Sequence, residues 1–250
     1  MKKYLLILTT LALLGGGCSK EEIPETTDGE GSVEFRTTTC SEVDSQTTRA
    51  QTSLPDNCKP SGNSFKLVVK GKEGTATAEY LAEYTTLSEY TATISYGDPQ
   101  QEGSTAFCYQ GALDFTILAR KTIQKTITAS LTNSVISLEC GEWFKKYYSE
   151  AQFTVQTEAG NNFSFTHSSS PDTPIFVKPG SKLLLKGTAV KAQNGVKVEF
   201  PQQQIGVTTA RTWHKIRIDA SQAGQGSISI RLDDTLTEVP PQEIELNPEA

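Results

Sequence analysis

Apolar residues recur at every second position along most of the chain, and this spacing constrains the fold more than any other feature of the sequence. Val33 and Phe35 alternate with polar neighbours, and Leu113, Phe115 and Ile117 repeat the pattern. A period of two gives each segment one face for a core and one face for water. The pattern recurs at residues 65–69, 90–96, 127–131, 136–140, 153–155, 163–165, 175–177, 183–185, 196–200, 214–218 and 228–232. The sequence therefore predicts an all-β protein of antiparallel sheets packed in pairs.

The alternation breaks at residues 141–148, where the sequence reads Gly-Glu-Trp-Phe-Lys-Lys-Tyr-Tyr. A chain of 250 residues is long enough for two ordinary domains with cores of their own. We therefore predict two β-sandwich domains, residues 32–141 and residues 142–250. Within the second domain, Asn194-Gly195 predicts a β-hairpin with a type I′ turn, because that turn needs two residues that tolerate positive φ.

The aromatic residues at this break have two interpretations. Trp143 and Tyr147 could form a surface platform on which a sugar stacks. Alternatively, the pairs Trp143/Tyr147 and Phe144/Tyr148, each spaced i, i+4, could cover a join between domains, because aromatic rings bury a large area while a polar tip stays wet. We favour packing and keep Trp143 and Tyr147 as candidate binding residues.

Trp213 is a third candidate for surface binding. It precedes His214 in a segment whose apolar residues include Ile216 and Ile218. In a regular strand, Trp213 lies on the face opposite His214 and Ile216. The pattern therefore predicts that Trp213 is exposed and that His214 is a hydrogen-bonded residue of the core or its boundary.

The first 17 residues have the build of a bacterial secretory signal. Lys2 and Lys3 precede an apolar run at residues 4–14, and three glycines at residues 15–17 precede Cys18. As a helix the apolar run rises only about 16 Å, too short for a hydrocarbon core of about 30 Å. The sequence predicts cleavage before Cys18 and lipidation of that cysteine. A cleaved signal with a free product is the alternative, because Gly15 stands where Leu is usual.

The residues after Cys18 form a predicted acidic tether, residues 18–31. Lys20, Glu21 and Glu22 resemble the signal that directs Bacteroidota lipoproteins to the outer leaflet of the outer membrane. A merely solvated tether is the alternative, because such a composition cannot bury enough apolar surface to order itself. The expected location is the outer membrane, lipid-anchored and facing the exterior.

Charge and composition argue against several classes of function. The 23 basic and 29 acidic side chains give a net charge of −6, and loss of Lys2 and Lys3 with the signal peptide makes it −8. This balance does not support nucleic-acid binding. No CxxC motif supports zinc. His167 and His214 lack an evident catalytic constellation, which is recognised by geometry. We predict no enzyme activity, no metal and no cofactor.

Four cysteines remain after Cys18, namely Cys40, Cys58, Cys108 and Cys140. An even number in an oxidising compartment permits two disulfides with three connectivities. Cys40 with Cys58 is the most local pairing. Free buried thiols are equally open, because Cys108 and Cys140 lie in apolar segments where cysteine behaves as a small hydrophobe.

The order of these features resembles a known kind of protein. The likeness is carried by Cys18, Ser32-Val33-Glu34-Phe35, Thr48-Arg49-Ala50, Phe65-Lys66-Leu67-Val68-Val69, Tyr90-Thr91-Ala92, Leu131-Thr132-Asn133-Ser134-Val135 and Tyr147-Tyr148. It is similar to the tandem β-sandwich lipoproteins of unknown function from gut Bacteroidota, which are broadly fimbrillin-like. The resemblance implies Greek-key or transthyretin-like sandwiches at a cell surface.

The same resemblance implies a second possibility. In type V pilus subunits of this architecture, a lipoprotein precursor is cut after an arginine, the first strand is lost and a neighbour's terminal strand replaces it. Arg49 follows the predicted first strand, and residues 242–246 alternate as a donor strand would. A Cys40–Cys58 bridge would span Arg49 and keep the strand attached after a cut.

These observations predict a surface-anchored lipoprotein that binds an unknown protein or glycan. The first alternative is a fimbria-like or pilus-like subunit that is cut after Arg49 and self-assembles by strand exchange. A further alternative is an accessory module of a carbohydrate-active enzyme. The expected partners include the membrane, through the lipid, and exclude nucleic acid.

Overall fold

The structure is a computed structural model of the chain. It describes residues 31–45, 51–61, 63–71, 89–117, 121–220, 228–233 and 235–237. The early strands are β1 (Ser32–Cys40), β2 (Glu42–Ser45), β3 (Gln51–Ser53), β4 (Lys66–Gly71), β5 (Glu89–Tyr96), β6 (Tyr109–Thr116), β7 (Thr122–Leu131) and β8 (Ser134–Cys140). The later strands are β9 (Tyr148–Thr157), β10 (Asn162–Thr166), β11 (Ile175–Val177), β12 (Lys182–Lys191), β13 (Lys197–Val207), β14 (Thr212–Ala220), β15 (Ile228–Leu232) and β16 (Thr235–Thr237). Helix α1 (Glu142–Tyr147) and a short 3-10 turn (Asp56–Cys58) complete the described elements. The all-β prediction is confirmed.

The chain folds into two compact units, and each is drawn from separated segments. Unit 1 contains the described residues up to Ser41, those between Pro55 and Tyr96, and Tyr109–Leu131. Unit 2 contains the described residues of Glu42–Leu54, Gly97–Cys108 and those from Thr132 onward. The division into two β-sandwich domains, residues 32–141 and residues 142–250, stays a prediction.

Unit 1 is built on a five-stranded sheet in the order β1-β7-β6-β5-β4. β1 and β7 run parallel, whereas β4, β5, β6 and β7 join through antiparallel ladders. Alternate residues of β1, β5, β6 and β7 are buried or half-buried on one face, as the period of two predicts. The buried apolar side chains include Val33, Phe35, Tyr90, Ala92, Ile94, Tyr109, Phe115, Ile127, Ala129 and Leu131.

Unit 2 contains two sheets that share one core. The first has the order β11-β8-β14-β15-β16, with β2 paired to β14 and to β3, and the second has the order β10-β9-β12-β13. Inward-facing side chains of both sheets and Phe144 of α1 form a single apolar cluster. The larger members are Ile136, Leu138, Phe144, Tyr148, Phe153, Val155, Phe165, Leu183, Leu185, Phe200, Ile205, Ile216, Ile218 and Ile230.

The prediction of purely antiparallel sheets is wrong at three ladders. β1 pairs in parallel with β7, β8 with β14, and β2 with β14. A parallel neighbour cannot come from a tight hairpin and needs a long connection. In each case the two strands are far apart in the sequence. A period of two shows which face of a strand is buried but does not show which strands become neighbours.

The Asn194-Gly195 hairpin is present, but its connection is longer than predicted. β12 ends at Lys191 and β13 begins at Lys197. Gly195 has a positive φ of 70°, and Asn194 is not among the described non-glycine residues with positive φ. The Asn194 side-chain oxygen instead accepts a hydrogen bond from the Val196 N–H at 3.1 Å. The type I′ turn is therefore wrong, because the asparagine acts through its side chain.

Candidate functional site

The residues predicted to direct the chain to the cell surface lie outside the described residues. They are Cys18, Lys20, Glu21 and Glu22. The predicted cleavage site, Arg49, falls in residues 46–50, which also lie outside the described residues. Lipidation, export and cleavage at these positions stay predictions. The described structure begins at residue 31, directly before β1.

β1 is an edge strand of the unit 1 sheet and pairs only with β7 among the described strands. Its nine residues are in register with Thr122–Ser130. Val33 is fully buried and Phe35 is 4% exposed, with the Phe35 ring edge-on to Phe115 at 5.2 Å between centroids. On the solvent face, the Ser32 hydroxyl lies 2.6 Å from the Thr122 hydroxyl. The strand is thus held by one ladder and one apolar face.

β2 lies on the N-terminal side of residues 46–50 and β3 on the C-terminal side. The two strands pair antiparallel, and β2 also pairs in parallel with the start of β14. Val43 is 1% exposed, and the Asp44 N–H donates to the Arg211 carbonyl at 2.8 Å. The connection that contains Arg49 therefore joins two strands of unit 2.

The four described cysteines are free thiols in the structure. Cys58 is buried in its 3-10 turn, and its carbonyl accepts a hydrogen bond from the Tyr109 hydroxyl at 3.2 Å. Burial raises the pKa of Tyr109, and negative charge on Cys58 and Cys40 would raise it further. A Cys40–Cys58 bridge in the oxidised protein stays a prediction.

The prediction that Trp213 is exposed is wrong. Its side chain is 4% exposed, and its indole N–H donates to the Ser137 hydroxyl of β8 at 3.0 Å. β14 lies between β8 and β15 in its sheet, and its residues are buried on both faces from Thr212 to His214. Period-two reasoning assumes that one face of a strand is wet. Trp213 is a structural residue of unit 2 and cannot stack on a surface ligand.

Trp143 and Tyr147 lie on α1 and form the i, i+4 pair that the sequence predicts. Their rings stack at 6.4 Å between centroids, and both side chains are partly buried. The Lys146 ammonium lies 5.0 Å from the centre of the Trp143 ring. The second pair, Phe144 and Tyr148, stacks at 4.6 Å inside the unit 2 core. α1 therefore presents a half-covered aromatic face, and binding by it stays a prediction.

His214 makes a buried pair with Asp233, at 2.8 Å between Nδ1 and a carboxylate oxygen. His214 is 3% exposed, and its Nε2 accepts the Thr209 N–H at 2.8 Å. The proton therefore sits on Nδ1 and is donated to Asp233. The second Asp233 oxygen accepts the Lys215 N–H at 2.9 Å. The nitrogen that would serve as a general base is thus already occupied, and the pair fixes β14 to the residue after β15.

His167 follows β10 and is separate from this pair in the hydrogen-bonding pattern. Its backbone N–H donates to the Ala151 carbonyl at 3.0 Å. Its Nε2 is buried and has no hydrogen-bond partner among the described residues. No hydrogen bond connects His167 to its neighbouring serines or to a carboxylate in the described part of the chain, so the described contacts do not complete a triad.

Glu102 organises a group of loops in unit 2. One of its carboxylate oxygens accepts the Thr157 hydroxyl at 2.6 Å and the Asn161 amide at 2.8 Å, and the other accepts the Lys178 N–H at 2.9 Å. Glu102 could not be predicted from the sequence, because a single glutamate in a polar loop carries no pattern.

Buried hydroxyls extend this polar network. The Thr208 hydroxyl accepts the Ser181 N–H at 3.0 Å and donates to the Lys178 carbonyl at 2.9 Å. The Ser134 hydroxyl donates to the Thr209 carbonyl at 2.6 Å. The donors and acceptors named here are matched with one another, so the network rigidifies the loops and offers no unsatisfied group to a ligand.

Within the described residues, no group of three or more His, Cys, Asp or Glu side chains could hold a metal ion. The same part of the chain contains no helix that is both long and apolar enough to cross a membrane.

A family model described as "Domain of unknown function (DUF4493)" matches residues 29–248. The chain belongs to this family. The match covers both units and most of the chain, and it confirms the predicted likeness to a family of β proteins of unknown function. No match to the DUF4493 chain was found among curated protein sequences.

Several solved structures are similar to this DUF4493 chain. One is a candidate cell adhesion protein from Bacteroides ovatus, 12% identical, with a TM-score of 0.45 over 85% of this chain and 98% of that one. Another is a candidate polysaccharide binding protein from Bacteroides thetaiotaomicron, 9% identical, with a TM-score of 0.39 over 83% and 99%. A third is the fimbrial anchor protein Mfa2 from Porphyromonas gingivalis, 8% identical, with a TM-score of 0.34 over 83% and 99%. Similarities of this size do not transfer a ligand or an activity.

Proposed function

We propose that this DUF4493 protein is a lipid-anchored protein of the bacterial outer surface that binds or adheres and does not catalyse a reaction. The leader and the residues around Cys18 support the anchoring, and the acidic Lys20-Glu21-Glu22 segment supports exposure on the outer membrane. The ligand class is a surface protein or glycan.

The observation that carries the non-catalytic part is the environment of His214. Both ring nitrogens are engaged, one with Asp233 and the other with the Thr209 N–H. A histidine that acts as a general base needs a ring nitrogen that is free to take a proton from a group within its reach. Together with the matched hydrogen bonds around Glu102, this environment supports a rigid scaffold for binding.

The anchoring is tested by labelling growing cells with a palmitate analogue. The wild-type protein is expected to incorporate the label and to be shaved from intact cells by added protease. Cys18→Ser is expected to lose the label and leave the membrane fraction, whereas Ser19→Ala, one residue away, retains both. An unlabelled wild-type protein would contradict the anchored function.

The binding role is tested by adherence of cells to wells coated with mucin glycoproteins and, separately, with collagen. Deletion of the gene is expected to reduce adherence several-fold on at least one coating, and Cys18→Ser is expected to match the deletion. Equal adherence of wild-type and deletion strains on both coatings would contradict an adhesive role for these ligand classes.

A second candidate function is a fimbria-like subunit that is cut after Arg49 and assembles by strand exchange. The observation that favours it is the position of β1, which among the described strands is an edge strand with a single ladder and which precedes the connection containing Arg49. Loss of β1 would leave the β7 edge and an apolar groove open to another strand. The donor proposed from the sequence, residues 242–246, lies outside the described residues.

N-terminal sequencing of the mature protein separates the two functions. A first residue of Ala50, together with polymers that resist detergent, supports the subunit. A blocked N-terminus at Cys18, together with a monomer, supports the anchored binding protein and rules out the subunit.

A further inference from the structure

We infer that the N-terminal arm, residues 31–45, is anchored at two places, β1 in unit 1 and β2 in unit 2, so that a break within residues 46–50 does not release it. This inference concerns retention of the arm and does not rest on the proposed adhesive role.

The first anchor is β1. Its nine-residue ladder with β7 runs from Ser32 to Cys40, and it buries Val33 and Phe35. Side-chain hydrogen bonds reinforce the ladder on the solvent face, including Thr38 to Thr128 at 3.0 Å. Taken alone, this anchor depends on a single edge.

The second anchor is β2, which is separated from β1 by a single residue, Ser41. Asp44 and Ser45 are in register with Thr212 and Trp213 of β14, and Val43 and Ser45 are buried. β14 is firmly held at this point, because the Arg211 N–H donates to the Asn133 carbonyl at 2.8 Å and the Trp213 indole donates to Ser137. β2 thus docks on backbone that has supports of its own.

β3, which follows residues 46–50, depends on β2 for its pairing. β3 pairs only with β2 among the described strands, through Gln51, Thr52 and Ser53. β2 therefore does not need an intact connection to β3 in order to stay on β14. A cut between them removes one covalent link and leaves both anchors in place.

Two anchors on one arm strengthen each other. Because only Ser41 separates β1 from β2 in the chain, a strand that has opened at one anchor stays covalently tied to the strand at the other. Release requires both to open at the same time. A lipid-anchored protein nicked here would remain at the membrane, and strand exchange would require the β2 ladder to open as well as the β1 ladder.

The test uses the full-length protein in detergent, with a site-specific protease sequence inserted between Thr48 and Arg49 and an affinity tag at the C-terminus. After complete cleavage, the protein is immobilised through the tag and release of the N-terminal fragment is followed over time. We expect the wild-type fragment to remain bound through extended washing. Immediate and complete release of the wild-type fragment would overturn the inference.

Variants in each anchor resolve their contributions. Val43→Asp in β2 and Phe35→Ala in β1 are each expected to accelerate release about tenfold or more, because each removes a buried apolar contact. Glu42→Gln, exposed beside Val43, is the matched control and is expected to leave the rate unchanged. Equal release from wild type and Val43→Asp would show that β1 alone holds the arm.

A milder substitution at the same position keeps the test informative if the Val43→Asp variant does not fold. Val43→Thr keeps the shape of the side chain and adds a hydroxyl, and it is expected to accelerate release several-fold. Hydrogen exchange of the nicked wild type gives an independent measurement. The Asp44 amide is expected to keep the protection it has in the uncut protein, and its loss on cleavage would contradict docking of β2.

Discussion

β1 and β8 pair in the same way and differ in how they are held. Each pairs in parallel with a strand that comes much later in the chain, and each ends in a cysteine. β1 is a sheet edge and buries one face. β8 lies between β11 and β14, and six of its seven residues are buried.

This difference separates a strand that can open locally from one that cannot. Opening β1 breaks one ladder and exposes chiefly Val33 and Phe35. Opening β8 breaks two ladders and exposes both the shared core of unit 2 and the side that carries Trp213. β1 should therefore open in local fluctuations, whereas β8 should open only when unit 2 unfolds.

The largest expected loss of stability comes from Trp213, which contacts β8 through the Ser137 hydroxyl. Trp213→Ala removes a buried ring and leaves the Ser137 hydroxyl without its indole partner. We expect a loss of about 4 kcal/mol in the free energy of unfolding of unit 2. Trp143→Ala, on the partly covered face of α1, is the control and is expected to cost less than about 1 kcal/mol. Urea unfolding followed by circular dichroism measures both, and similar losses would contradict the burial of β8 on both faces.

The next largest difference is expected in the reactivity of the cysteines that end the two strands, Cys40 in β1 and Cys140 in β8. Burial raises the pKa of the Cys140 thiol from 9.0 to about 11, whereas Cys40 is only partly buried. Only the thiolate reacts, so at pH 8 Cys140 is expected to be alkylated about 100-fold more slowly than an ordinary thiol. Cys40 of the reduced protein is expected to react much faster. Mass spectrometry of peptides after timed alkylation measures both rates, and equal rates would break the comparison.

The same pKa shift gives a dependence of stability on pH. The folded state holds the Cys140 proton more tightly than the unfolded state, so its contribution is complete below about pH 9 and is lost as the pH rises towards about 11. Cys140→Ala is expected to flatten this decline in the urea midpoint. A decline of the same size in the variant would show that Cys140 is not its source.

A smaller loss in the free energy of unfolding is expected when the His214–Asp233 pair is broken. This pair supports β14, the parallel partner of β8. Asp233→Ala leaves the His214 Nδ1–H and the Lys215 N–H without acceptors, at a cost of roughly 2 kcal/mol. Asp233→Asn keeps an oxygen and tolerates the φ of 55°, so it should cost less. Thermal unfolding monitors both variants. An unchanged Asp233→Ala would show that this pair does not support β14.

The smallest effect is expected at a hydroxyl in the core that β8 faces. Tyr148 is 1% exposed, and its hydroxyl has no hydrogen-bond partner among the described residues. Tyr148→Phe is therefore expected to leave stability unchanged or to raise it by up to about 1 kcal/mol. Tyr109→Phe, in unit 1, loses the bond to the Cys58 carbonyl and should destabilise by about 1 kcal/mol. Equal losses at the two sites, measured by urea unfolding, would contradict this assignment.

Period-two patterning predicted most strands because it reports a local property, the side on which each residue is buried. It placed His214 correctly at the core and Trp213 wrongly on the surface, because coverage of a second face depends on distant segments. The same limit hid the parallel ladder of β8 with β14.

The sequence was least informative where elements are short and polar. β2 has four residues with one large apolar side chain, Val43, and β3 has none. Their pairing is decided by the backbone hydrogen-bonding edge at the start of β14, which no local pattern records. Glu102 and Asp233 act through loop contacts of the same kind. The N-terminal site residues were predicted from signals that are read before folding.

Amide hydrogen exchange tests most directly whether β1 opens locally while β8 stays closed. In the native protein, we expect amides of residues 33–39 to exchange through local opening, at least about 100-fold faster than the paired amides of residues 135–140. Phe35→Ala should accelerate exchange in β1 further and leave β8 unchanged. Equal protection of the two strands, or a joint response to Phe35→Ala, would contradict the difference between them.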